Sequence, residues 1–450
     1  MELDEGLSFF PAYPMKIAII TNLYPPYYLG GYEVHCAQVA EGLQRVGHQV
    51  RVLTSTYGLP ASILGKVSAR QDTVNGVPVS RCLNQYSFEP QPKWDRPWMF
   101  WRARREIHDC ERFVKFLEDF KPDAVNWWNM NGMTKMILPL PNRMGIPDIH
   151  AVDDLWLIHD YGPEGKQSEQ FWHRLWDAQW GPASARSLMR PLLKAWEQKV
   201  HASGLPTRCL AHRPAQVCFL SEYMRRVHGE AGIDISASRV IYGGVAKERF
   251  FQRLPKSRHP AEPLRLLYAG QVTPDRGLMT VIDALGELPE QTRSRLTLTV
   301  AGTGPQEFLN AVHARIRDLG LVNRISLLGK VVHSDIAGIF KGHDVFIFAS
   351  KRPEGLGFVC IEAMLAGCAV VTTGSGGAKE IADVGRLPMF RPDNPASLSV
   401  LLSRLEGQRE EVAEIAARGQ AAALEKFSFE EMMAAWLCTF DEFAKVSARK

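Results

Sequence analysis

Short runs of apolar residues, each followed by a polar or glycine-rich turn and then by a stretch with helical spacing, recur along the chain. Lys16–Thr21 is one such run of strand length. A Pro/Gly-rich loop from Tyr24 to Gly31 follows it. Next come a helical stretch, Glu33 to Val46, that Gly47 stops, and a second strand, Gln49–Thr54. Strand, loop, helix and strand over about forty residues make a βαβ unit, whose crossover is right-handed. Further strands are predicted at Val77–Ser80, Ala124–Trp127 and Ile149–Val152. Near-continuous apolar strands suit a parallel sheet covered on both faces.

The pattern then restarts. Val217–Leu220 and Val240–Tyr242 lead to Leu264–Ala269, and strands follow at Leu296–Ala301, Ile325–Leu328, Val345–Ala349 and Ala369–Thr373. Helical segments lie between most of them, notably Thr280–Leu288, Gln306–Leu319 and Val359–Ala366. Two successive α/β sets predict two doubly wound domains, residues 15–213 and 214–428, with a boundary near Ala211–Ala215. A last helix, about Phe429–Val446 within 429–450, carries Trp436 and is expected to cross back onto the first domain. Residues 1–14 read as a short extension, with Glu2, Asp4 and Glu5 where an export signal needs a basic start.

Two stretches interrupt the first domain. Asn84–Arg105 is rich in Pro and Trp, and Leu155–Arg213 is helical, with Trp172, Trp176 and Trp180 at steps of four. Such a stripe packs onto a domain core, or serves as an acceptor-sugar platform or membrane-surface helix, since Arg174, Arg186, Arg190 and Lys194 lie nearby.

Composition narrows the class. The chain has 450 residues, 46% hydrophobic and 23% charged, which suits a soluble globular protein with more than one core. A formal net charge of +4 is too mild for a nucleic-acid partner. No apolar run approaches the roughly 18 residues that span a bilayer. A cytoplasmic protein is expected, with at most peripheral contact at a membrane surface. Eight cysteines are scattered without a Cys-x-x-Cys pair, so they read as buried, reduced thiols.

The densest chemistry lies in Glu354-Gly-Leu-Gly-Phe-Val-Cys-Ile-Glu362-Ala-Met-Leu-Ala-Gly367, between a predicted strand and helix. Gly355 and Gly357 let the backbone approach a ligand closely. The N–H groups of Phe358 and Val359 point outward at the positive end of a helix, a ready phosphate site. Glu362, one to two turns on, is an acceptor-only carboxylate suited to paired ribose hydroxyls. Glu354 sits where the loop approaches the sugar.

This stretch resembles the signature of glycosyltransferase family 4, the retaining GT-B enzymes: two glutamates separated by seven residues in Glu-Gly-x-Gly-Phe-x-x-x-Glu-Ala. The resemblance extends over nearly the whole chain. Thr21 to Gly31, with Gly30-Gly31, is similar to the family's first loop, which faces the donor phosphates and acceptor. Val240 to Phe250 resembles its Asn-Gly-Val-Asp segment. Ala269 to Gly277 resembles its Gly-Arg-x-x-x-x-Lys-Gly diphosphate clamp. Gly374-Ser-Gly-Gly377 with Glu380 resembles its Gly-Gly-x-x-Glu turn. There are departures. Gln271 stands where the clamp has arginine and Arg276 where it has lysine; Gly243 and Ala246 replace Asn and Asp. Asp153-Asp154 stands where the family has a His-Asp pair whose histidine touches the donor sugar. His150 is either its substitute or a buried strand histidine.

The resemblance implies a GT-B fold, two Rossmann-like domains separated by a cleft. It implies transfer of a sugar from a UDP- or GDP-linked donor to a glycan, lipid-linked or small-molecule acceptor, with retention by front-face attack, as in polysaccharide biosynthesis. Glu354, Arg276 and Asp153 are the expected catalytic residues. Gly30, Gly31, Gln271, Lys330, Gly355, Gly357, Phe358, Val359 and Glu362 are the expected donor-binding ones, with Lys351 a further candidate cation and backbone groups near Leu328–Val331 holding the base. The sequence has no Asp-x-Asp triplet, so neither a metal nor another cofactor is expected. The alternative is a catalytically weak sugar-nucleotide-binding protein, motivated by Gln271 and Asp153. A sugar-nucleotide epimerase of the same fold is remoter, and the spaced glutamates argue against it.

Overall fold

The computed structural model describes residues 14–59, 70–86, 95–161, 183–206, 214–254, 262–332 and 335–447. Trp172, Trp176, Trp180 and Arg174, and the extension before residue 14, lie outside these residues. The chain divides into two compact units. One comprises Met1–Leu220, Met224–Ile241 and Met433–Lys450; the other comprises Ser221–Tyr223 and Tyr242–Met432.

The first unit is built on eight strands: β1 Lys16–Thr21, β2 Gln49–Ser55, β3 Arg70–Val74, β4 Val77–Leu83, β5 Ala124–Trp127, β6 Asp148–Val152, β7 Gln216–Phe219 and β8 Ser238–Val240. Their spatial order is β3-β4-β2-β1-β5-β6-β7-β8. All neighbours run parallel except β3 and β4, an antiparallel edge hairpin. Its turn, Asn75-Gly76, has φ of 48° and 86°, the paired positive values that a tight hairpin turn demands. β5 and β6 are buried along their whole length, as strands covered on both faces must be. Sheet order reverses at β1, so the loops after β1 and β5 open at the switch point where α/β sheets bind ligands.

The second unit has five parallel strands: β9 Leu264–Ala269, β10 Leu296–Ala301, β11 Ile325–Gly329, β12 Val345–Phe348 and β13 Ala369–Thr372. Their order, β11-β10-β9-β12-β13, places the switch point between β9 and β12.

The boundary falls later in the chain than Ala211–Ala215. β7 pairs with β6 and β8 with β7, so both extend the first sheet instead of opening a new one. An apolar run of strand length identifies a strand but not the sheet it joins, which long-range pairing decides. The chain enters the second unit lastingly at Tyr242, through Gly243-Gly244, where a Cβ on Gly244 would lie 2.3 Å from the Ser428 carbonyl oxygen.

The C-terminal helix, Phe429–Ser447, belongs to the first unit from Met433 onward. Trp436 is buried there with its ring 5.7 Å from Trp128 and 6.0 Å from Phe440. Of the described cysteines, Cys36, Cys82, Cys110, Cys218, Cys360 and Cys368 are buried, while Cys438 is exposed. Among the described residues no helix is long and apolar enough to cross a membrane.

Candidate active site

In the second unit, the loops after β9, β10, β12 and β13 stack backbone on backbone, and glycines make this possible. A Cβ on Gly302 would fall 1.8 Å from the Gly270 oxygen, on Gly304 1.7 Å from that of Val272, and on Gly277 2.0 Å from that of Ala349. On Gly377 it would fall 2.1 Å from the Gly355 oxygen. These loops at the sheet's C-terminal edge therefore lie in direct backbone contact.

Among these loops two expected residues meet directly. Arg276 ends the short turn Pro274–Arg276 after β9, and its Nη1 donates to Oε1 of Glu354, in the loop after β12. The Tyr268 hydroxyl fixes the arginine's loop by donating to the carbonyls of Gln271 (2.9 Å) and Arg276 (3.3 Å). Glu354 is held through its main chain. Its N–H donates to the Ser375 carbonyl at 3.3 Å, and its carbonyl accepts from Gly377 at 2.8 Å. The Ser350 hydroxyl donates to its Oε1 at 2.9 Å.

The helix Phe358–Leu365 starts at Gly357, whose φ of 98° is a left-handed conformation that favours glycine. The first-turn amides of Phe358 and Val359 therefore lie at the positive helix end, a few residues from the Arg276–Glu354 pair. Glu362 is part-buried on the next turn. Burial pushes its carboxyl up to about 7, against the opposing charge of Arg249. Gly355 accepts a 2.5 Å hydrogen bond from the Ser221 hydroxyl, and Glu380 accepts the N–H groups of Glu222 and Tyr223 and the Tyr242 hydroxyl. The family-like Glu380 thus ties down residues 221–223. Gln271 is exposed in the loop after β9, and Lys330 is exposed just past β11. Lys351 is drawn away to Asp393. On β11, two residues before Lys330, Leu328 is exposed.

The first unit gathers its own polar groups at the matching edge. Gly30 caps the helix Gly31–Arg45, and its N–H donates to Glu33 Oε2 at 2.9 Å, the backbone half of a capping box. Burial raises the Glu33 carboxyl, while backbone N–H groups, that of Gly30 first, oppose the rise. Asp153, just past β6, pairs with Nδ1 of His35 on that helix at 2.7 Å, both side chains nearly enclosed. Tyr32 donates to the Ala151 carbonyl at 2.5 Å. Asp154 accepts from the Asn131 amide and the Trp156 N–H, each at 2.9 Å, and burial lifts it to about 7.

His150 does not take the place of the missing histidine. It is fully buried, with Nε2 3.1 Å from Asp148 and its ring stacked 5.7 Å from Trp156. In the middle of the sheet it is a core histidine. An imidazole beside Asp153 comes instead from His35, 118 residues away in sequence.

Two family models cover most of the chain. Glycosyltransferase Family 4 matches residues 29–249 and Glycosyl transferases group 1 matches residues 250–421. The chain belongs to the GT-B glycosyltransferases. An uncharacterized glycosyltransferase of Methanocaldococcus jannaschii is 24% identical, the match covering 86% of this chain and 87% of that protein. Mannosylfructose-phosphate synthase of Agrobacterium fabrum is 28% identical over 40% of each chain. Among solved structures, HepE of Anabaena in complex with UDP superposes with a TM-score of 0.66 at 18% identity, covering 95% of this chain and all of that one. Sucrose-phosphate synthase of Thermosynechococcus elongatus gives 0.65 at 16%, covering 97% and 100%. At such identities these two structures speak to the fold.

In this glycosyltransferase the sequence pointed to Arg276 and Glu354 but not to their contact. Glu33 was readable, because it stands three residues after the cap at Gly30. His35, Tyr32 and Ser350 carry no local signal, since each is defined by a partner's position in space.

Proposed function

We propose that this glycosyltransferase takes its sugar from a nucleotide-diphosphate donor held at the C-terminal edge of the β9–β13 sheet, and transfers it with retention of configuration. One observation carries the reading. Arg276 and Glu354 converge beside a helix N-terminus that Gly357 caps in a left-handed conformation, among loops so closely stacked that Gly277, Gly302, Gly304 and Gly377 leave no room for a Cβ. A cation and two helix amides suit a pyrophosphate. Glu354 suits sugar hydroxyls and Glu362 suits ribose hydroxyls. The UDP and UDP-glucose in the HepE complexes support a nucleotide-sugar donor.

Breaking the sugar–phosphate bond leaves its electron pair on the diphosphate oxygen. That charge is met by Arg276 and the amides of Phe358 and Val359, fixed before the reaction begins. The acceptor hydroxyl bonds to the anomeric carbon on the face being vacated, and its proton passes to the departing phosphate. Since the sequence lacks an Asp-x-Asp triplet, these groups carry the charge without a metal. The acceptor belongs to the first unit, near the Asp153–His35 pair; it is a glycan, a lipid-linked sugar or a small molecule.

The test is nucleotide release from UDP-, GDP- and ADP-linked sugars, with and without acceptor extracts and with EDTA. Acceptor-dependent release that survives EDTA, giving a product of the donor's anomeric configuration, is expected. Binding without any release or transfer favours a catalytically idle sugar-nucleotide binder, and a strict divalent-metal requirement removes the charge assignment.

A further inference from the structure

Arg276 and Glu354 are paired with each other in the ligand-free protein, and that pairing bears on which ligands the site holds. Three cations stand on the loops after β9 and β12. Side-chain exposure is 57% for Arg352, 31% for Lys351 and 21% for Arg276. Arg352 lies 3.8 Å from Asp275 and 4.0 Å from Glu354, and Lys351 pairs with Asp393. Arg276 faces Glu354, itself only 16% exposed, and its Nε is buried without a hydrogen-bond partner. With Nε enclosed, an arriving anion reaches the guanidinium at its Nη donors, one of which Glu354 already holds.

An arriving diphosphate and the Glu354 carboxylate want the same guanidinium. For the diphosphate to take it, the carboxylate must give it up. What then happens to Glu354 depends on whether a sugar is attached. A sugar on the terminal phosphate brings hydroxyl donors that replace the lost N–H bonds. A bare nucleoside diphosphate brings none, and its terminal phosphate carries extra negative charge toward a carboxylate left with the Ser350 hydroxyl, for which the Arg352 carbonyl competes, and with the exposed Arg352 4.0 Å away. A sparsely partnered, mostly buried carboxylate beside an anion is expensive.

We propose that the Arg276–Glu354 pair acts as a product-rejecting gate, in which Glu354 selects the sugar-bearing diphosphate over the bare diphosphate that transfer leaves behind. This rests on the nucleotide-sugar reading above. After transfer the sugar departs with the acceptor, Glu354 loses its hydroxyl donors, and it reclaims Arg276 as the nucleotide leaves. The same carboxylate that holds the sugar thereby shortens the occupancy of the product.

The experiment is calorimetric titration with three pairs, UDP and UDP-glucose, GDP and GDP-mannose, ADP and ADP-glucose. It uses the full-length wild type, Glu354→Gln, Glu354→Asp and Arg276→Gln, each checked by thermal melting. In Glu354→Gln the bare diphosphate binds about tenfold or more tighter and the sugar ester does not, by the size of a buried carboxylate's lost partners. Glu354→Asp, which keeps the charge but withdraws it by one methylene, shifts the preference the same way by less and serves if the glutamine variant fails to fold. Arg276→Gln weakens both members of the pair. If the wild type and Arg276→Gln behave so but the preference is the same in both Glu354 variants, the gate is wrong and the donor site stands. If the wild type binds no member of any pair, the donor reading fails and the gate fails with it.

Discussion

Glu362 couples burial to function at the scale of a single side chain. Its carboxyl is raised from 4.5 to about 7 because burial penalises the charged form more than Arg249 restores it. A folded-state value above the unfolded one means that the folded protein binds more protons between these limits, so stability falls as pH rises from about 4.5 to 7. Glu362→Gln removes that penalty and should gain about 1 kcal/mol at pH 8, allowing for partial exposure. Urea unfolding at pH 5 and pH 8 reads the difference. Binding runs the other way. If ribose hydroxyls donate to the ionised carboxylate, nucleotide-sugar affinity should rise about tenfold between pH 6 and pH 8, following the ionised fraction. A nucleotide sugar carries no phosphate that titrates in this range, so the glutamine variant should be weak and flat. Parallel pH profiles for the two proteins would take Glu362 out of the ribose site.

Among elements, the loops of the second unit depend on glycines in a way that can be separated from glycine's flexibility. Gly277 and Gly320 have similar positive φ, 75° and 65°. A Cβ on Gly277 would strike the Ala349 carbonyl at 2.0 Å, whereas one on Gly320 would meet nothing within 4 Å. Gly320→Ala should cost only the left-handed strain, about 1 kcal/mol. Gly277→Ala should cost about 2–3 kcal/mol and displace Arg276, its neighbour. Denaturant midpoints and nucleotide titrations measure both, and equal losses would show that loop stacking does not matter. Elements of this kind also mark what the sequence told and withheld. Ala124–Trp127, Leu264–Ala269 and Leu296–Ala301 form strands at the bounds their apolar runs predicted, because apolar residues dominate a strand inside a covered sheet. β3, Arg-Gln-Asp-Thr-Val, went unseen because an edge strand is half polar, although Asn75-Gly76 marked the hairpin. The signature glutamates were legible since loop and helix bring them close along the chain. His35 beside Asp153, and Arg276 on Glu354, depend on pairings 118 and 78 residues long that no local pattern encodes.

For the whole molecule, each of the two units has its own sheet and core, so a ligand that binds one should leave its mark there first. A nucleotide held by the second unit stabilises it by mass action, about 2.7 kcal/mol at a hundredfold excess over the dissociation constant. Hydrogen exchange resolves where that stabilisation acts. With UDP-glucose, or whichever nucleotide sugar the protein binds, amides in residues 270–277, 350–362 and 374–377 should slow by about tenfold or more, since these loops carry the proposed contacts. Amides of the β3–β4 hairpin, at an edge of the first unit's sheet, should exchange at unchanged rates. Trp436 complicates a simple division, because the helix that begins in the second unit ends packed in the first. Trp436→Ala should destabilise the first unit by about 3–5 kcal/mol through the loss of a buried indole. It should still leave the ligand-induced slowing at 350–362 in place. Loss of that slowing in Trp436→Ala, with the second unit's own strands still protected, would mean that the donor site draws on the first unit's integrity and is not a property of the β9–β13 sheet alone.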